Sequence, residues 1–482
     1  MGRLHKTSVT PRLILVTGAT GYIASRLIPR LLSHGYRVRL LARHPGQLTG
    51  RAWLSQVEVH AGNVTQPESL SAALQGVDSA YYLIHSMASG RGYTRLETEG
   101  ARNFAEAAHR AGLQHIIYLG GLADPGSPHL APHMRSRMET GDTLRAGTVP
   151  VTEFRAGVIV GPGSISFEMI RFLTEFFPIL PGPVWLKNRV QPIAARNVID
   201  YLAAALENTR ARGGIYEIGG PEVMQYGETM RRYARLRGLR RSVLTLPALP
   251  IALMAWFVDG LTPVPASIAA PLIGGLQSDS IVMDDSARRL FPEIEPAAYE
   301  PAAQEVLRDL HPARLERVWE GGKHLRRRLR HEGFFVDHRR ADAAAAPQVV
   351  YRRLTAMGGR NGWPYANWLW RLRGSLDRVL GGPGLRGRPE ALREGDFLDY
   401  YRVEALQSNR LMRLRSELRA PGEAWMEWRV EPGPAGGSVL TQTAFFAPRG
   451  LPGFLYWSLL GPLHRLAFGG LLKALVRQSK GT

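Results

Sequence analysis

Apolar residues in the first third of the chain recur with the periods of short strands and amphipathic helices in turn. A β-branched, apolar run predicts a strand at Leu13–Thr17, and Ile23, Leu27 and Leu31 then follow at helical spacing. Similar runs predict strands over 38–41, 57–61, 79–84, 115–119 and 151–158, with a long helix over 96–111. Because strands and helices of these lengths alternate, we predict an α/β fold with a doubly wound parallel sheet.

The pattern changes beyond residue 333, where apolar and polar residues alternate in pieces separated by turns. The pieces are DFLDYYRVEAL, RLMRLRSELRAPGEAWMEWRVEP and SVLTQTAFFAPRG, and a helical pattern closes the chain at 451–477. Such alternation predicts meandering antiparallel strands. A charged and then alanine-rich composition between 313 and 347 marks a boundary. We therefore expect a first domain over 1–312, a linker over 313–332 and a second domain over 333–482.

Residues 242–276 form an unusually apolar stretch, but Asp259 and five prolines interrupt it. We expect an interfacial or lid segment here rather than a transmembrane helix. No uninterrupted apolar run in the sequence is long enough to span a bilayer. The N-terminus reaches the first strand without a segment of signal-peptide shape, so we expect a cytoplasmic protein whose membrane contact is at most peripheral.

Composition narrows the chemistry further. The 482 residues include no cysteine, which excludes disulfides, thiolate metal sites and cysteine nucleophiles. The formal charge of +20 would suit a nucleic-acid partner. Only five of the 61 basic residues are lysines, however, and the arginines are spread along the whole chain, with the densest basic cluster at 323–330. We interpret that cluster as a solvated helix face, and we expect no nucleic-acid partner and no metal site.

A glycine-rich turn joins the first predicted strand to the first predicted helix. Gly18 can make the tight turn, and Gly21 lets a phosphate reach the backbone amides at the helix N-terminus. The position of these glycines between a strand and a helix favours a dinucleotide site over a plain turn. The predicted cofactor contacts in this turn are Gly18, Thr20, Gly21, Tyr22 and Ile23.

The ends of the next strands indicate which dinucleotide binds. The second strand offers Arg39 and Arg43 where a cofactor without a 2′-phosphate would usually meet an acidic residue, so NADP(H) is favoured over NAD(H). A solvated arginine at a strand end is the alternative. Asn63 and Val64 follow the third strand, where an adenine ring could lie, and His85 follows the fourth, near the expected nicotinamide.

Several of these segments resemble a known family. They are TGATGYIA, VRLLAR, a strand ending in IHSM, IIYLGGL and RAGVIVGPGS. Over about residues 11–310 the chain is similar to the atypical, NmrA-like members of the short-chain dehydrogenase/reductase superfamily. The resemblance implies a Rossmann domain that binds NAD(P). In that superfamily a tyrosine, a lysine four positions later and a serine at the end of the fifth strand handle the proton of the reacting oxygen.

The sequence departs from that family at each catalytic position. The fifth predicted strand ends in Gly120 and Gly121 without a serine, and His133 and Arg137 occupy the two positions four residues apart. Such a pair lies on one face of a helix. Histidine can exchange a proton near neutral pH, whereas arginine supplies only charge and hydrogen bonds. Two interpretations stay open: a reductase with His133 as general acid or base and Arg137 beside it, or a sensor that binds NADP(H) without turnover.

The second domain resembles another fold. Helices that bracket a curved antiparallel sheet, with the longest at the C-terminus, are similar to the START-like helix-grip fold. Over about 333–478 the order also resembles a domain of unknown function that follows such Rossmann domains in bacterial proteins. This implies an α+β domain around an apolar ligand, which its tryptophans would line, although core packing explains them as well. The tryptophans are Trp363, Trp368, Trp370, Trp425, Trp428 and Trp457.

Together these features predict an NADP(H)-dependent oxidoreductase that transfers hydride to or from a hydrophobic small molecule. A phenylalanine-rich helix pattern over 167–176 fits a lid over such a substrate, and core packing explains it equally well. The competing hypothesis is a non-catalytic binding protein. Peripheral membrane association, through 242–276 or through the C-terminal helix with its basic flanks, is a third alternative. The sequence predicts no oligomeric state.

Overall fold

The computed structural model of the chain describes residues 11–85, 92–247, 249–315, 329–331, 333–433 and 436–478. These residues form two compact units. The first contains 11–173, 179–309 and 315, and the second contains 174–178, 310–314 and the described residues from 329 onward. Most of the predicted linker over 313–332, and most of the basic cluster at 323–330, lies outside the described residues.

Up to residue 309, the described part of the chain contains thirteen strands and eleven α-helices. The strands are β1 (Leu13–Thr17), β2 (Arg37–Ala42), β3 (Glu58–Ala61), β4 (Ser79–Tyr82), β5 (His115–Gly121), β6 (Val151–Ala156), β7 (Ile159–Val160), β8 (Ile179–Pro183), β9 (Arg189–Val190), β10 (Ile193–Ala194), β11 (Ile215–Ile218), β12 (Met224–Gln225) and β13 (Ser242–Leu246). The helices are α1 (Tyr22–Ser33), α2 (Ser71–Leu74), α3 (Tyr93–Arg110), α4 (Pro132–Arg145), α5 (Ile165–Phe176), α6 (Ala195–Ala204), α7 (Tyr226–Leu236), α8 (Ile251–Leu261), α9 (Ala266–Gly275), α10 (Ser286–Leu290) and α11 (Tyr299–Arg308).

A seven-stranded parallel sheet forms the centre of the first unit. Its strands lie in the order β3-β2-β1-β4-β5-β6-β11. The order reverses between β1 and β4, and sheets of this kind bind ligands beyond the carboxyl ends of the strands at such a switch point. The predicted doubly wound sheet is therefore confirmed. Three two-stranded ladders accompany it, namely β7 with β10, β9 with β12 and β8 with β13.

The central strand β1 is buried on both faces, as its continuous apolar sequence requires. Ile14 and Val16 pack into one core cluster together with Leu27 of α1. Leu13 and Leu15 pack into the other, which includes residues of α3. Helices therefore cover both faces of the sheet and leave the carboxyl edge of the strands to form a site.

Residues 242–276, predicted to be an interfacial or lid segment, form β13 and the helix pair α8 and α9. Ala255, Val258 and Ile273 of these two helices share a small apolar cluster with Met169 and Leu173 of α5. This cluster attaches the helix pair to the first unit.

The second unit contains a seven-stranded antiparallel sheet in the order β14-β15-β20-β19-β18-β17-β16. The strands are β14 (Leu329–His331), β15 (Phe334–Ala343), β16 (Phe397–Leu398), β17 (Tyr401–Gln407), β18 (Leu411–Ser416), β19 (Gly422–Pro432) and β20 (Ser438–Pro448). The helices are α12 (Pro347–Thr355), α13 (Asn367–Val379), α14 (Gly450–Leu459) and α15 (Gly461–Gln478). The predicted antiparallel α+β arrangement is confirmed, and its START-like character stays a prediction.

The predicted continuous helix over 451–477 is wrong, because the chain breaks it at Leu460 into α14 and α15. The reason is Pro462, which has no N–H to donate to the carbonyl four residues earlier and is tolerated only in a first helical turn. The two helices meet at a bend of 58°. Of the described helices, none is by itself long and apolar enough to cross a membrane, and only this bent pair meets the length and composition together.

Candidate functional site

The glycine turn lies where β1 ends and α1 begins. Gly18 has a φ of +64°, and a Cβ atom there would come within 2.5 Å of the Leu83 carbonyl oxygen, so only glycine fits. The Gly21 amide donates to the Gly18 carbonyl at 2.8 Å. Gly21 has an ordinary φ of −76° and begins α1 without a capping side chain. The amides in the first turn of α1 are therefore suited to hold a phosphate.

The other predicted contacts in the turn differ in what they can offer a cofactor. The Tyr22 hydroxyl packs against Gly161, where a Cβ atom would clash with it. Ile23 packs against the core cluster that includes α1. These two residues can therefore offer backbone amides, while the exposed Thr20 also offers a hydroxyl.

The two arginines predicted near the 2′-phosphate have different surroundings. The Arg39 guanidinium forms an ion pair with Glu58 at 2.7 Å and donates to the Gln75 carbonyl oxygen at 2.7 Å. Its hydrogen bond is the main reason that the pKa of Glu58 lies below its ordinary value. Arg43 directly follows β2 and is exposed. Arg39 therefore links β2 to β3 and to the end of α2. Arg43 is the residue that can meet a 2′-phosphate.

Asn63 and Val64 lie just beyond β3, at the same edge of the sheet. The Asn63 side-chain oxygen accepts the Thr65 amide at 3.3 Å, and the residue is half-buried. Val64 is buried and packs against Gly100 of α3. Asn63 can therefore present a side chain to an adenine ring, whereas the Val64 side chain belongs to the core.

A hydrogen-bonded cluster lies beyond the end of β4. His85 Nδ1 is 2.6 Å from Glu97 Oε1, and the Ser136 hydroxyl donates to Glu97 Oε2. Glu97 of α3 is 4% exposed, whereas the His85 side chain keeps 30% of its surface exposed. A buried carboxylate on Nδ1 fixes the orientation of the ring and leaves Nε2 as the nitrogen that can meet a ligand.

His133 and Arg137 lie one turn apart on α4, as predicted. Arg137 donates to the Leu119 carbonyl oxygen of β5 at 2.7 Å, and the His133 ring meets Gly275 of α9. Burial, followed by the nearby charge of Arg137, lowers the pKa of His133 to about 4. A ring with this pKa is neutral at pH 7, and the role of His133 as general acid or base stays a prediction. A neutral ring can still donate one hydrogen bond.

The structure brings the predicted His85, His133 and Arg137 into one neighbourhood. The charges of Arg137, His85 and Glu97 all act on the His133 ring. These residues come from the end of β4 and from α3 and α4, so the cluster lies near the switch point of the sheet. The site therefore combines a glycine turn, an exposed arginine and a histidine ring that contacts a buried carboxylate.

The phenylalanines of α5 have a structural role. Phe167 and Phe172 are buried, and the Phe167 ring lies 5.9 Å from that of Tyr233 in an edge-to-face contact. Met169 and Leu173 of the same helix instead contact the α8–α9 cluster. Core packing therefore explains Phe167 and Phe172.

Sequence reasoning missed Glu97 and Ser136. Glu97 lies at helical spacing with the buried residues Ala101, Phe104 and Ala108, so it is a carboxylate on the apolar side of α3. A buried acidic residue needs a hydrogen-bonding or charged partner, so an acidic residue at an apolar position of a helix indicates a buried polar contact. This pattern could have identified Glu97 from the sequence. Ser136 gave no such signal, because its neighbours in α4 are mostly polar.

Comparison with protein families identifies a counterpart for part of each unit. Residues 18–146 match a family described as NAD(P)H-binding, and residues 331–471 match a protein family of unknown function. A (4-alkanoyl-5-oxo-2,5-dihydrofuran-3-yl)methyl phosphate reductase of Streptomyces griseus is 30% identical over 253 residues, which cover 50% of this chain and 81% of the relative. A ceramide reductase of Caulobacter vibrioides is 27% identical, covering 48% of this chain and 73% of the relative.

Solved structures share the fold of the first unit. An NADPH-dependent quinone oxidoreductase of Escherichia coli superposes with a TM-score of 0.50 and 18% identity, covering 61% of this chain and 99% of that chain. A triphenylmethane reductase of Citrobacter superposes with a TM-score of 0.50 and 20% identity, covering 61% of this chain and 99% of that chain. At these identities the similarity shows the fold alone.

Proposed function

The chain belongs to the NAD(P)H-binding reductases of the atypical short-chain dehydrogenase/reductase family, and on this premise we propose that it is an NADP(H)-dependent reductase of an apolar small molecule. The family predicted from the sequence is confirmed, and so is the NAD(P)H-binding domain. The observation that carries the choice of NADP(H) is the exposed Arg43 beyond β2, at the place where a 2′-phosphate would lie.

The nature of the substrate rests on two observations. The His133 ring lies against Gly275 of α9, a helix of mostly apolar residues, and α9 joins α8 and α5 in an apolar cluster. Two relatives are named as reductases of ceramide and of a (4-alkanoyl-5-oxo-2,5-dihydrofuran-3-yl)methyl phosphate, and the second name includes an alkanoyl group. We therefore propose a hydrophobic carbonyl compound, or an alkene conjugated to a carbonyl, as the substrate class.

The proposed chemistry assigns roles to four side chains. When bound, the reduced nicotinamide supplies a hydride to the electrophilic carbon. His85, held by the buried Glu97, gives a proton to the oxygen or carbon that becomes negative, and takes another from solvent afterwards. Neutral His133 donates a hydrogen bond to the same oxygen, and the Arg137 charge favours its development.

A sensor that binds NADP(H) without turnover is the second candidate. The sequence supports it, because Gly121, His133 and Arg137 stand where the family has a serine, a tyrosine and a lysine. In that case the His85–Glu97 pair would only stabilise the fold. That the second unit encloses an apolar ligand also stays a proposal. The tryptophans do not decide it, because Trp363 and Trp370 stack on each other with ring centres 4.3 Å apart, as core residues do.

Arg43→Ala should weaken NADPH binding by about tenfold to a hundredfold and leave NADH binding nearly unchanged, because a charged hydrogen bond to phosphate is worth about 1.5–3 kcal/mol. Fluorescence titration of both cofactors measures the ratio. Arg37→Ala is the matched control, since Arg37 is an exposed arginine at the opposite end of β2. An equal loss for NADH and NADPH in Arg43→Ala would remove the 2′-phosphate assignment.

A further inference from the structure

One face of α13 carries a row of exposed apolar side chains. The row consists of Trp368, Leu372, Leu376, Val379 and Leu380, which are between 52% and 82% exposed. Their spacing of three or four residues places them along one side of the helix. Single exposed apolar residues are ordinary, but a row extending along a whole helix marks a surface that binds something.

A second exposed row lies on the neighbouring helices α14 and α15. It consists of Leu455, Leu459, Leu463 and Leu466, which are between 38% and 76% exposed. The Arg373 guanidinium of α13 donates to the Tyr456 hydroxyl of α14 at 3.4 Å, and the Trp370 ring lies 6.4 Å from that of Phe468 on α15. We call the two rows together the α13–α15 surface.

Every exposed charge on these three helices is positive. Arg371, Arg378, Arg465 and Lys473 are exposed, whereas the one acidic residue, Asp377 of α13, is fully buried and accepts backbone amides. Helices α14 and α15 contain no aspartate or glutamate. No described carboxylate forms an ion pair with Arg371 or Arg465 within the described ranges. The α13–α15 surface is thus apolar, and the exposed charges on its three helices are positive.

The opposite faces of the same helices are committed to the core of the second unit. Trp457 of α14 stacks on Phe446 of β20 with ring centres 5.4 Å apart, and Leu471 and Leu475 of α15 are fully buried. A helix that already buries one face in protein can lie on a bilayer but cannot cross it without losing that packing. The bend between α14 and α15 likewise prevents the pair from crossing a bilayer as one straight helix.

We propose that the α13–α15 surface binds the interface of an anionic phospholipid bilayer. Apolar side chains would enter the acyl boundary while the arginines and the lysine contact phosphate groups, the combination by which interfacial helices bind membranes. Helix α8 also exposes apolar side chains, Leu253 and Trp256, but its charge differs from that of the α13–α15 surface. The only charged residue of α8 is the exposed Asp259, which an anionic bilayer would repel. The same positive charges on a second copy of this chain would oppose pairing of the two surfaces.

Vesicle flotation of the full chain tests the proposal. The chain should float with phosphatidylglycerol-containing vesicles and much less with pure phosphatidylcholine vesicles, and salt should weaken the binding. Leu372→Glu combined with Leu376→Glu should lower binding by tenfold or more. Both positions are exposed, so thermal unfolding and NADPH titration should remain at the values of the unmodified chain.

The matched control is Leu253→Glu combined with Trp256→Glu, which alters the exposed apolar face of α8. It should leave flotation unchanged. The proposal is overturned if the full chain fails to float with anionic vesicles, or if the control variant loses flotation while the α13 variant keeps it. It is also overturned if the full chain is a dimer by sedimentation, the α13 variant a monomer, and neither floats.

Discussion

Gly21→Val should abolish NADPH binding while the first unit stays folded. The φ of Gly21 is −76°, which valine can adopt, and a Cβ atom there would meet only the Gly18 carbonyl oxygen, at 3.0 Å. The added side chain would instead occupy the space through which a pyrophosphate reaches the first-turn amides of α1. If two hydrogen bonds from these amides to the charged pyrophosphate are lost, the binding free energy weakens by at least about 3 kcal/mol. This corresponds to a Kd that is roughly a hundredfold higher or more.

Two other glycines make this result interpretable. Gly260→Val, on α8, introduces the same side chain where no atom lies within 4 Å, and it should bind NADPH normally. Gly18→Val should instead lower the unfolding temperature, because Gly18 has a φ of +64° and its Cβ would clash with the Leu83 carbonyl. Undiminished NADPH binding by Gly21→Val would show that the pyrophosphate does not lie on this turn.

His85→Ala should lower the rate of reduction by about 100-fold or more while NADPH binding is retained. General acid catalysis by a positioned side chain contributes about 100-fold to 10,000-fold. Glu97→Gln should lower the rate less, because the glutamine side chain can still hydrogen-bond to His85 Nδ1 and keep the ring in place.

His133→Ala separates the two histidines. A neutral hydrogen-bond donor contributes less than a proton donor, so its loss should lower the rate by roughly tenfold, with no change in the pH profile between about pH 5 and 8. The opposite ranking would be a steep loss of rate in His133→Ala with unchanged turnover in His85→Ala. It would identify His133 as the proton donor and contradict the role proposed for the His85–Glu97 pair.

Local sequence signals were sufficient for the cofactor end of the site. A strand, a glycine turn and a helix are contiguous in sequence, so Gly18 and Gly21 could be placed before any tertiary structure was known. Arg39 and Arg43 could not be told apart in this way. Arg39 differs because Glu58, on the adjacent strand β3, takes up its charge, and strand neighbours are set by the order of the sheet.

The proton-carrying end of the site depends on contacts distant in sequence. Glu97 is 12 residues from His85 and 39 from Ser136, and only the packing of α3 against α4 and the end of β4 joins them. The low pKa of His133 has the same origin, because the desolvation comes from burial that includes α9. The break before α15 was local by contrast, and Pro462 could have predicted it.

The most direct measurement is a fluorescence titration of the purified chain with NADPH and NADH, followed by NADPH oxidation in the presence of hydrophobic carbonyl compounds and quinones. A reductase of the proposed kind binds NADPH more tightly than NADH and oxidises it when such a compound is added. Tight NADPH binding without oxidation by any of them would contradict catalysis and support the sensor. Failure to bind either cofactor would contradict the site built on Gly18, Gly21 and Arg43.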